Sequence, residues 1–487
     1  MTKRTSKLIA RKRKVYSKYK DSKHPAYIQA SIKADKAVKE AKRKFEELLA
    51  QNIKEDSKSF YAYVRSKSKS KVKPGPLVDA DGQVIASDDA TAEEFNKYFA
   101  SVFTNEDVTN MPDGDEIGNL FNKLDSVSID ESDVRAKLKR LREDKSAGPD
   151  ELSPRFLHIV GEYLSYPLMV MFNKTLKDGK VPDDWKSSNI APIFKNGKRG
   201  LPKNYRPVSL TSQVSNIFES IIGDRIVYHL ESQCLLRDSQ HGFRKGKSCL
   251  TNLLTFLDRV TGSVDEGDAV DVVFLDLAKA FDKVPHQRLI KKLKIHGIEG
   301  DLLNWIVSWL TGRKQRVCFN GHLSRWRRVT SGVPQGSVLG PILFLIYIND
   351  LDGGIVNWIL KFADDTKVFA KIRSADDASS LQRDLDRLVQ WAREWQMMFN
   401  VKKCKVMHMG RKNPRYQYRM NGQVLETVKQ EKDLGVVISD DLKVSNQCSM
   451  AYLKANRTLG LIKRTIEYKS EFIMLRLYKS LVRPHLE

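Results

Sequence analysis

The chain lacks any apolar run long enough to cross a bilayer. Its best stretch, Val338 to Ile348, already holds Gly340 and Pro341 and falls well short of the roughly 18–20 residues that a spanning helix needs. No apolar core follows the first residues, Thr2-Lys3-Arg4-Thr5-Ser6-Lys7, so a secretory signal is not expected. Cysteine is scarce: Cys234, Cys249, Cys318, Cys404 and Cys448 lie far apart and never in C-x-x-C spacing. That excludes a disulfide framework and a zinc knuckle, and it fits a reducing compartment. No internal repeat appears. Acidic side chains are the minority, 60 Asp and Glu against 84 Lys and Arg, for a formal net charge of +24. A chain this basic attracts polyanions.

At 487 residues and 41% hydrophobic content, there is material for two or three packed domains. The charge is uneven: residues 1–73 hold 23 Lys and Arg against 7 Asp and Glu. That segment reads as basic helix broken near Pro25, either a nucleic-acid-binding arm or a solvated arm. Residues 66–76 read as a low-complexity basic linker, and 107–115 as an acidic loop. Helices are expected over 87–103, around Val134 to Leu141, and over 155–177, 213–233, 247–263, 286–311 and 341–351. Leu381, Leu385, Leu388 and Trp395 mark another. Strands are expected at 190–194, 269–275, 316–319, 406–409 and 434–438, with a turn at Asn320-Gly321. The chain reaches Glu487 inside a helical pattern and reads as cut short.

The most telling stretch is Leu360-Lys361-Phe362-Ala363-Asp364-Asp365-Thr366-Lys367-Val368-Phe369. Apolar β-formers flank two adjacent carboxylates, a pattern that suits a hairpin presenting acids at its turn. Like charges side by side are costly unless a cation neutralises them, and paired hard oxygens are what Mg²⁺ takes. Asp-Asp also occurs at 88–89, 183–184, 376–377 and 440–441, so the pair means little alone. Asp276, which closes the apolar strand Val272-Val273-Phe274-Leu275, gives it company. If the two strands are neighbours in one antiparallel sheet, three carboxylates converge at its edge. They could then hold two metal ions for phosphoryl transfer. The plain alternative is three surface aspartates. Against it, Asp276 and Asp364 both follow apolar residues, where an unpaired carboxylate is costly.

Two further stretches are hard to read as scaffold. Ser331-Gly332-Val333-Pro334-Gln335-Gly336-Ser337 places two glycines before an apolar helix, where backbone can approach a ligand. Lys195, Lys198, Lys203 and Arg206 form a basic loop that could grip a triphosphate or simply be solvated.

Together these residues resemble the reverse transcriptase of non-long-terminal-repeat (LINE-type) retrotransposons of the jockey-like branch. The resemblance runs from about Lys145 to Ile438, through K-S-A-G-P-D at 145–150, G-K-V-P-D-D-W-K at 179–186, A-P-I-F-K at 191–195, N-Y-R-P-V-S-L at 204–210, H-G-F-R-K-G-K-S-C at 241–249, F-L-D-L-A-K-A-F-D at 274–282, S-G-V-P-Q-G-S-V-L-G-P at 331–341, F-A-D-D at 362–365, F-N-V-K-K-C-K at 399–405 and D-L-G-V at 433–436.

The resemblance implies an α+β right-hand polymerase. It divides into a basic helical N-terminal region (1–73), a linker and N-terminal extension (74–144), reverse transcriptase fingers and palm (145–438) and a truncated helical thumb (439–487). It implies two Mg²⁺ ions, or Mn²⁺, held by Asp276, Asp364, Asp365 and the carbonyl of Leu277. Phe281 would be the gate against a ribose 2′-hydroxyl. Lys195 and Arg206 would hold the triphosphate. Gln335 and Gly336 would line the template and incoming base. Lys403 would protonate the leaving pyrophosphate, and Leu434-Gly435 would belong to the primer grip. The implied partners are template RNA, a DNA primer or target and dNTPs, with no membrane, in a ribonucleoprotein of the element's own RNA in the cytoplasm or nucleus. Neither an endonuclease nor a ribonuclease H region is read here, so a truncated element copy is expected. Two other readings stay open at this stage: a catalytically weak RNA-binding remnant, and an intron-maturase-like protein, which would share the acids.

Overall fold

The computed structural model describes residues 2–67, 77, 78, 82–114 and 122–487. Most of the basic linker read at 66–76, and the last residue of the acidic loop read at 107–115, lie outside the described residues. The chain forms two compact units, Met1–Lys73 with Lys443–Glu487, and Pro74–Leu442.

In the first unit the helix break falls where Pro25 predicts it. Lys3–Tyr19 ends on a left-handed Lys20, and Pro25–Gln51 starts with its proline in the first turn, where the missing N–H costs nothing. Phe60 of helix Ser57–Lys67 packs with Ala50 and Ile53, and with Ile462, Ile473 and Leu477 of helices Ser445–Thr465 and Glu471–Leu477. Glu46 is wholly buried here. It accepts from Tyr63 Oη at 2.7 Å and from the backbone N–H of Glu467 and Tyr468, which replaces the water it loses.

The second unit is built on two sheets. The larger runs in the order Glu426–Thr427, Lys405–Met409, Ala269–Leu275, Asp365–Ile372, Trp358–Phe362. Its central strand, Ala269–Leu275, is antiparallel to both neighbours and buried at every residue. The two-residue period sorts its side chains. Val270, Val272 and Phe274 join Phe256 and Val260 of helix Cys249–Asp265, whereas Val273 and Leu275 join the core that holds Leu381, Leu385 and Leu388 of helix Ala375–Glu394. Asp271 is an acid inside this strand. His408 Nδ1 (2.6 Å), Asn413 Nδ2 (2.7 Å) and Tyr418 Oη (2.6 Å) surround its carboxylate, so burial leaves it satisfied.

The smaller sheet pairs Tyr205–Leu210, Ser187–Phe194, Lys314–Phe319 and two short strands. Phe95 and Phe99 of helix Asp88–Ser101 cover one face of it, against Ile190, Tyr205, Val317 and Phe319.

Three expectations need correction, and one strand was missed. Residues 155–177 form two helices, Pro154–Ile159 and Gly161–Lys177, because a turn at Val160 sets Gly161 against Leu138. Residues 286–311 also form two, His286–Ile295 and Gly300–Leu310. Leu124 pairs with the backbone between them, donating to Gly297 O and accepting from Glu299 N. Strand Tyr205–Leu210 was not foreseen, since its Arg and Pro hide the pattern. Leu434 belongs to a turn rather than a strand, joining Gln430–Asp433 to Val436–Ser439. No helix among the described residues is long and apolar enough to cross a membrane, and all five cysteines are free.

Candidate active site

The hairpin forms between Trp358–Phe362 and Asp365–Ile372, and Phe362 pairs with Asp365 across a turn of Ala363 and Asp364. Ala363 takes φ 53°, a conformation usually left to glycine. The buried side chain of Gln240 holds it there: its Oε1 accepts from Ala363 N at 3.0 Å and from Gly242 N at 2.8 Å. Leu275 pairs with Thr366, and continuing that register sets Asp276 opposite Asp365. The spacing of cross-strand neighbours therefore brings the three acids to one end of the sheet.

Two cavities meet at this edge. One, of about 620 Å³, is lined by Lys195, Lys203 and Arg206, by Phe281, Gln335 and Gly336, and by Asp276, Leu277, Asp364, Asp365 and Lys403. The other, of about 380 Å³, is lined by Lys402, Lys405, Lys432 and Leu434, and again by Asp276, Asp365 and Lys403. The fold thus brings all the expected site residues to these cavities except Gly435, which is next to Leu434 at the tip of its turn. Both turn residues are left-handed, with φ 45° at Leu434 and 99° at Gly435.

Charge is crowded here. Desolvation, then the neighbouring Asp364 and Asp276, push Asp365 up to about 6. Its side chain opens onto the cavity, but the protein around it still strips water from the carboxylate. Asp364 is raised as well, first by burial and then by Asp276. Lys403 Nζ is 2.9 Å from Asp276 Oδ2, so Asp276 already has one cationic partner. Among the described residues no three His, Cys, Asp or Glu side chains stand gathered as a metal-ligating set. The chemistry of the donors nonetheless fits a hard divalent cation: all are oxygens, they crowd like charges, and they open onto solvent.

The glycines of the Ser331–Ser337 turn serve close packing. A Cβ on Gly336 would come within 2.5 Å of Ser209 O, and one on Gly332 within 2.6 Å of Asp282 O. The turn is tied to the smaller sheet by Ser209 N–H to Gln335 O (2.6 Å) and to the Phe281 segment by Val333 N–H to Phe281 O (2.8 Å). The Phe281 ring stacks on Phe344, with centroids 4.5 Å apart.

A cavity lined by Lys195, Lys203 and Arg206 and ending on paired aspartates belongs to a fold that known proteins share. The family described as "Reverse transcriptase (RNA-dependent DNA polymerase)" matches residues 193–446, more than half of the chain. This chain belongs to the reverse transcriptase family. Among its relatives is the "Probable RNA-directed DNA polymerase from transposon X-element" of Drosophila melanogaster, 28% identical over 420 residues, which are 81% of this chain and 46% of the relative. The "RNA-directed DNA polymerase from mobile element jockey" of the same fly is 27% identical over 379 residues, 74% of this chain and 41% of that protein. The chain thus spans about half the length of the curated relatives it matches.

Three residues around this site were missed by sequence reasoning: Asp282, which lines the larger cavity, Gln240, which supports the hairpin turn, and Glu219, which anchors the helix start after the Gln335-Gly336 turn. Gln240 precedes the H-G-F-R motif and Asp282 closes the A-K-A-F-D motif, so both lay beside signals already read. Glu219 is a lone acid in an apolar helical run, Ile217-Phe218-Glu219-Ser220-Ile221-Ile222. Among apolar neighbours that is itself a sign of a buried polar anchor.

Proposed function

We propose that this chain is an RNA-directed DNA polymerase of a non-long-terminal-repeat element, extending a primer 3′-hydroxyl with dNTPs on an RNA template. One observation carries the reading: Asp276, Asp365 and Lys403 line both cavities, so one charged edge faces two separate binding spaces. The larger would take the incoming nucleotide and the smaller the primer end.

In this reading Asp276, Asp364, Asp365 and the Leu277 carbonyl hold the cations. Two Mg²⁺ ions, or Mn²⁺, supply activation of the attacking hydroxyl and stabilisation of the leaving oxygen when bound there. Lys195 and Arg206 orient the triphosphate, Arg206 through a fork that can grip two oxygens. Gln335 and Gly336 border the templating and incoming bases. The ammonium of Lys403, once released from Asp276, would give a proton to the departing pyrophosphate. Leu434 and Gly435 steady the primer. The smaller sheet acts as fingers, the larger as palm, and residues 439–487 as part of a thumb. We place the chain with its element's RNA in a ribonucleoprotein, in the cytoplasm or nucleus.

The test is incorporation of dTTP on poly(rA)/oligo(dT) with Mg²⁺. Folded protein that adds no nucleotide under any divalent cation sinks the proposal. Phe281 as the sugar gate makes a second demand. A bulky ring excludes a 2′-hydroxyl by contact and desolvation, so Phe281→Ala should raise rNTP use relative to dNTP by roughly 10-fold or more. Unchanged sugar selectivity refutes that role.

The basic N-terminal helix gives a third demand. Lys7, Arg11, Lys14 and Lys18 are exposed along one side of Lys3–Tyr19. If they neutralise RNA phosphates, changing all four to Gln should make the slope of log K against log salt shallower by about 3. An unaltered slope, measured by filter binding, rules them out.

A further inference from the structure

The His241–Cys249 segment is given no task by the polymerase reading, yet Phe243 lines the 620 Å³ cavity beside Phe362, Ala363 and Asp364. Its side chain is exposed, at 54%, and its backbone is left-handed, with φ 52°. A bulky residue seldom takes that conformation, because its Cβ crowds the backbone. An exposed ring gains little from burial to offset such strain, and strain of this kind gathers at functional sites.

Both neighbours of Phe243 hold it in place. On one side Gly242 lies against the catalytic hairpin. A Cβ on Gly242 would come within 2.5 Å of Ala363 N, and its N–H donates to Gln240 Oε1, the atom that also accepts from Ala363 N. His241 N–H donates to Lys361 O at 2.8 Å. On the other side Arg244 forks onto Glu231, with Nε and Nη2 each 3.0 Å from a carboxylate oxygen, and donates from Nη1 to Arg237 O at 2.9 Å. Phe243 is thus an aromatic side chain on a fixed mount, tied to the hairpin that carries Asp364 and Asp365 and open to the cavity.

We propose that Phe243 is a stacking platform for a base of the template strand next to the position being copied. This rests on the polymerase reading. Each part of the incoming nucleotide already has a place in that reading: Lys195 and Arg206 take the triphosphate, Phe281 borders the sugar, and Gln335 and Gly336 border the base. The primer end belongs to the smaller cavity, and of the two cavities Phe243 lines only the larger. What remains for its ring is the template. An aromatic platform suits a strand of varying sequence, because every base offers a π-face and none is read. Lys245, two residues on, is exposed and adds a cation for that strand's phosphates.

Affinity and stability are expected to part company. Glycine is at home at φ 52°, so Phe243→Gly should leave the melting temperature unchanged or raise it. The same variant should raise the KM for a template–primer by roughly 5–50-fold, and the KM for dTTP far less. Phe243→Trp should restore the template–primer KM. Templates with one abasic nucleotide, placed in turn on either side of the templating base, locate the contact. At one position the missing base should weaken wild type by a similar factor, and Phe243→Gly should lose nothing further there, since the two act through one contact. A template–primer KM that is unchanged in Phe243→Gly, or that rises only with a fall in melting temperature, overturns the proposal while wild-type extension still stands. So does coupling to an abasic primer nucleotide in place of a template one. Absence of extension by wild type overturns the polymerase reading and this one with it.

Discussion

Replacing both acids of the hairpin, Asp364→Asn with Asp365→Asn, is expected to abolish nucleotide incorporation, a fall on the order of 10³-fold or more, while raising the melting temperature of the metal-free protein. The two effects share one cause. Asp365 is pushed up to about 6 by desolvation, Asp364 and Asp276, and Asp364 is raised too. A carboxyl whose folded pKa lies above its unfolded value holds its proton more tightly when folded. Its favourable contribution is therefore present at low pH and is lost as pH rises from about 4 through about 6. Above that range the folded protein carries crowded charge that only a cation relieves. Asparagine removes the charge, which relaxes the fold and removes the cation ligands together. Sites that store unfavourable energy for function commonly behave so.

The same crowding of charge governs the response to metal. Mg²⁺ should raise the melting temperature of wild type at pH 7.5, by the binding of a ligand to the folded state alone. The rise should shrink as pH falls below about 6, where protons compete for the same oxygens. It should be lost in the double variant. Equal incorporation by variant and wild type, or a Mg²⁺ shift that survives the substitutions, removes these aspartates from the site.

The second large effect is expected far from the reacting atoms. Glu219 is fully buried, and its carboxylate accepts four hydrogen bonds: from Ser215 Oγ (3.0 Å), Trp309 Nε1 (3.0 Å), Val338 N (2.9 Å) and Leu339 N (3.3 Å). Val338 and Leu339 begin the helix that follows the Gln335-Gly336 turn. The carboxylate thus satisfies N–H groups that a helix start leaves open and pins that turn from below. Arg313 is buried nearby. It donates to Trp309 O at 3.0 Å, and its Nη2 has no partner among the described residues. Burial raises Glu219 and lowers Arg313 to about 10. For both groups desolvation outweighs mutual attraction, so the pair is not a source of net stability.

Breaking it is another matter. Glu219→Ala leaves a buried cation and four donors without this acceptor, for a loss of about 3–5 kcal/mol. A destabilisation under about 1 kcal/mol by thermal or urea unfolding contradicts this account. Glu219→Leu combined with Arg313→Met should cost less than Glu219→Leu alone, because the stranded charge goes with its partner. If the double variant is worse than either single change, the charge argument fails and packing is the cause.

Much of the site was legible because its signals are local. Asp276 follows a strand that is apolar at every residue but Asp271, as suits a strand buried on both faces. Asp364 lies in a two-residue turn between apolar strands, and Asp365 is the first residue after it. Lys195, Arg206, Phe281, Gln335 and Gly336 stand at fixed offsets within short motifs. Chain order and turn chemistry drew attention to the loops, and the resemblance of the motifs to a known family singled out these residues within them. Period and turn chemistry also told helix from strand for most elements, and failed at 155–177 and 286–311, where one helical pattern covers two helices separated by a turn set by distant packing.

What the sequence alone determined is the presence and order of these acids and bases, because backbone period and turn preference are properties of neighbouring residues. What only the tertiary structure decided is which groups hold them in place. Gln240 supports Ala363 from 123 residues away, Gln335 meets Asp282 across 53, and Lys403 finds Asp276 across 127. Such pairs carry no local signature. A buried donor must find an acceptor somewhere, but nothing in the one-dimensional pattern says where, until packing has excluded water and left a single partner in reach.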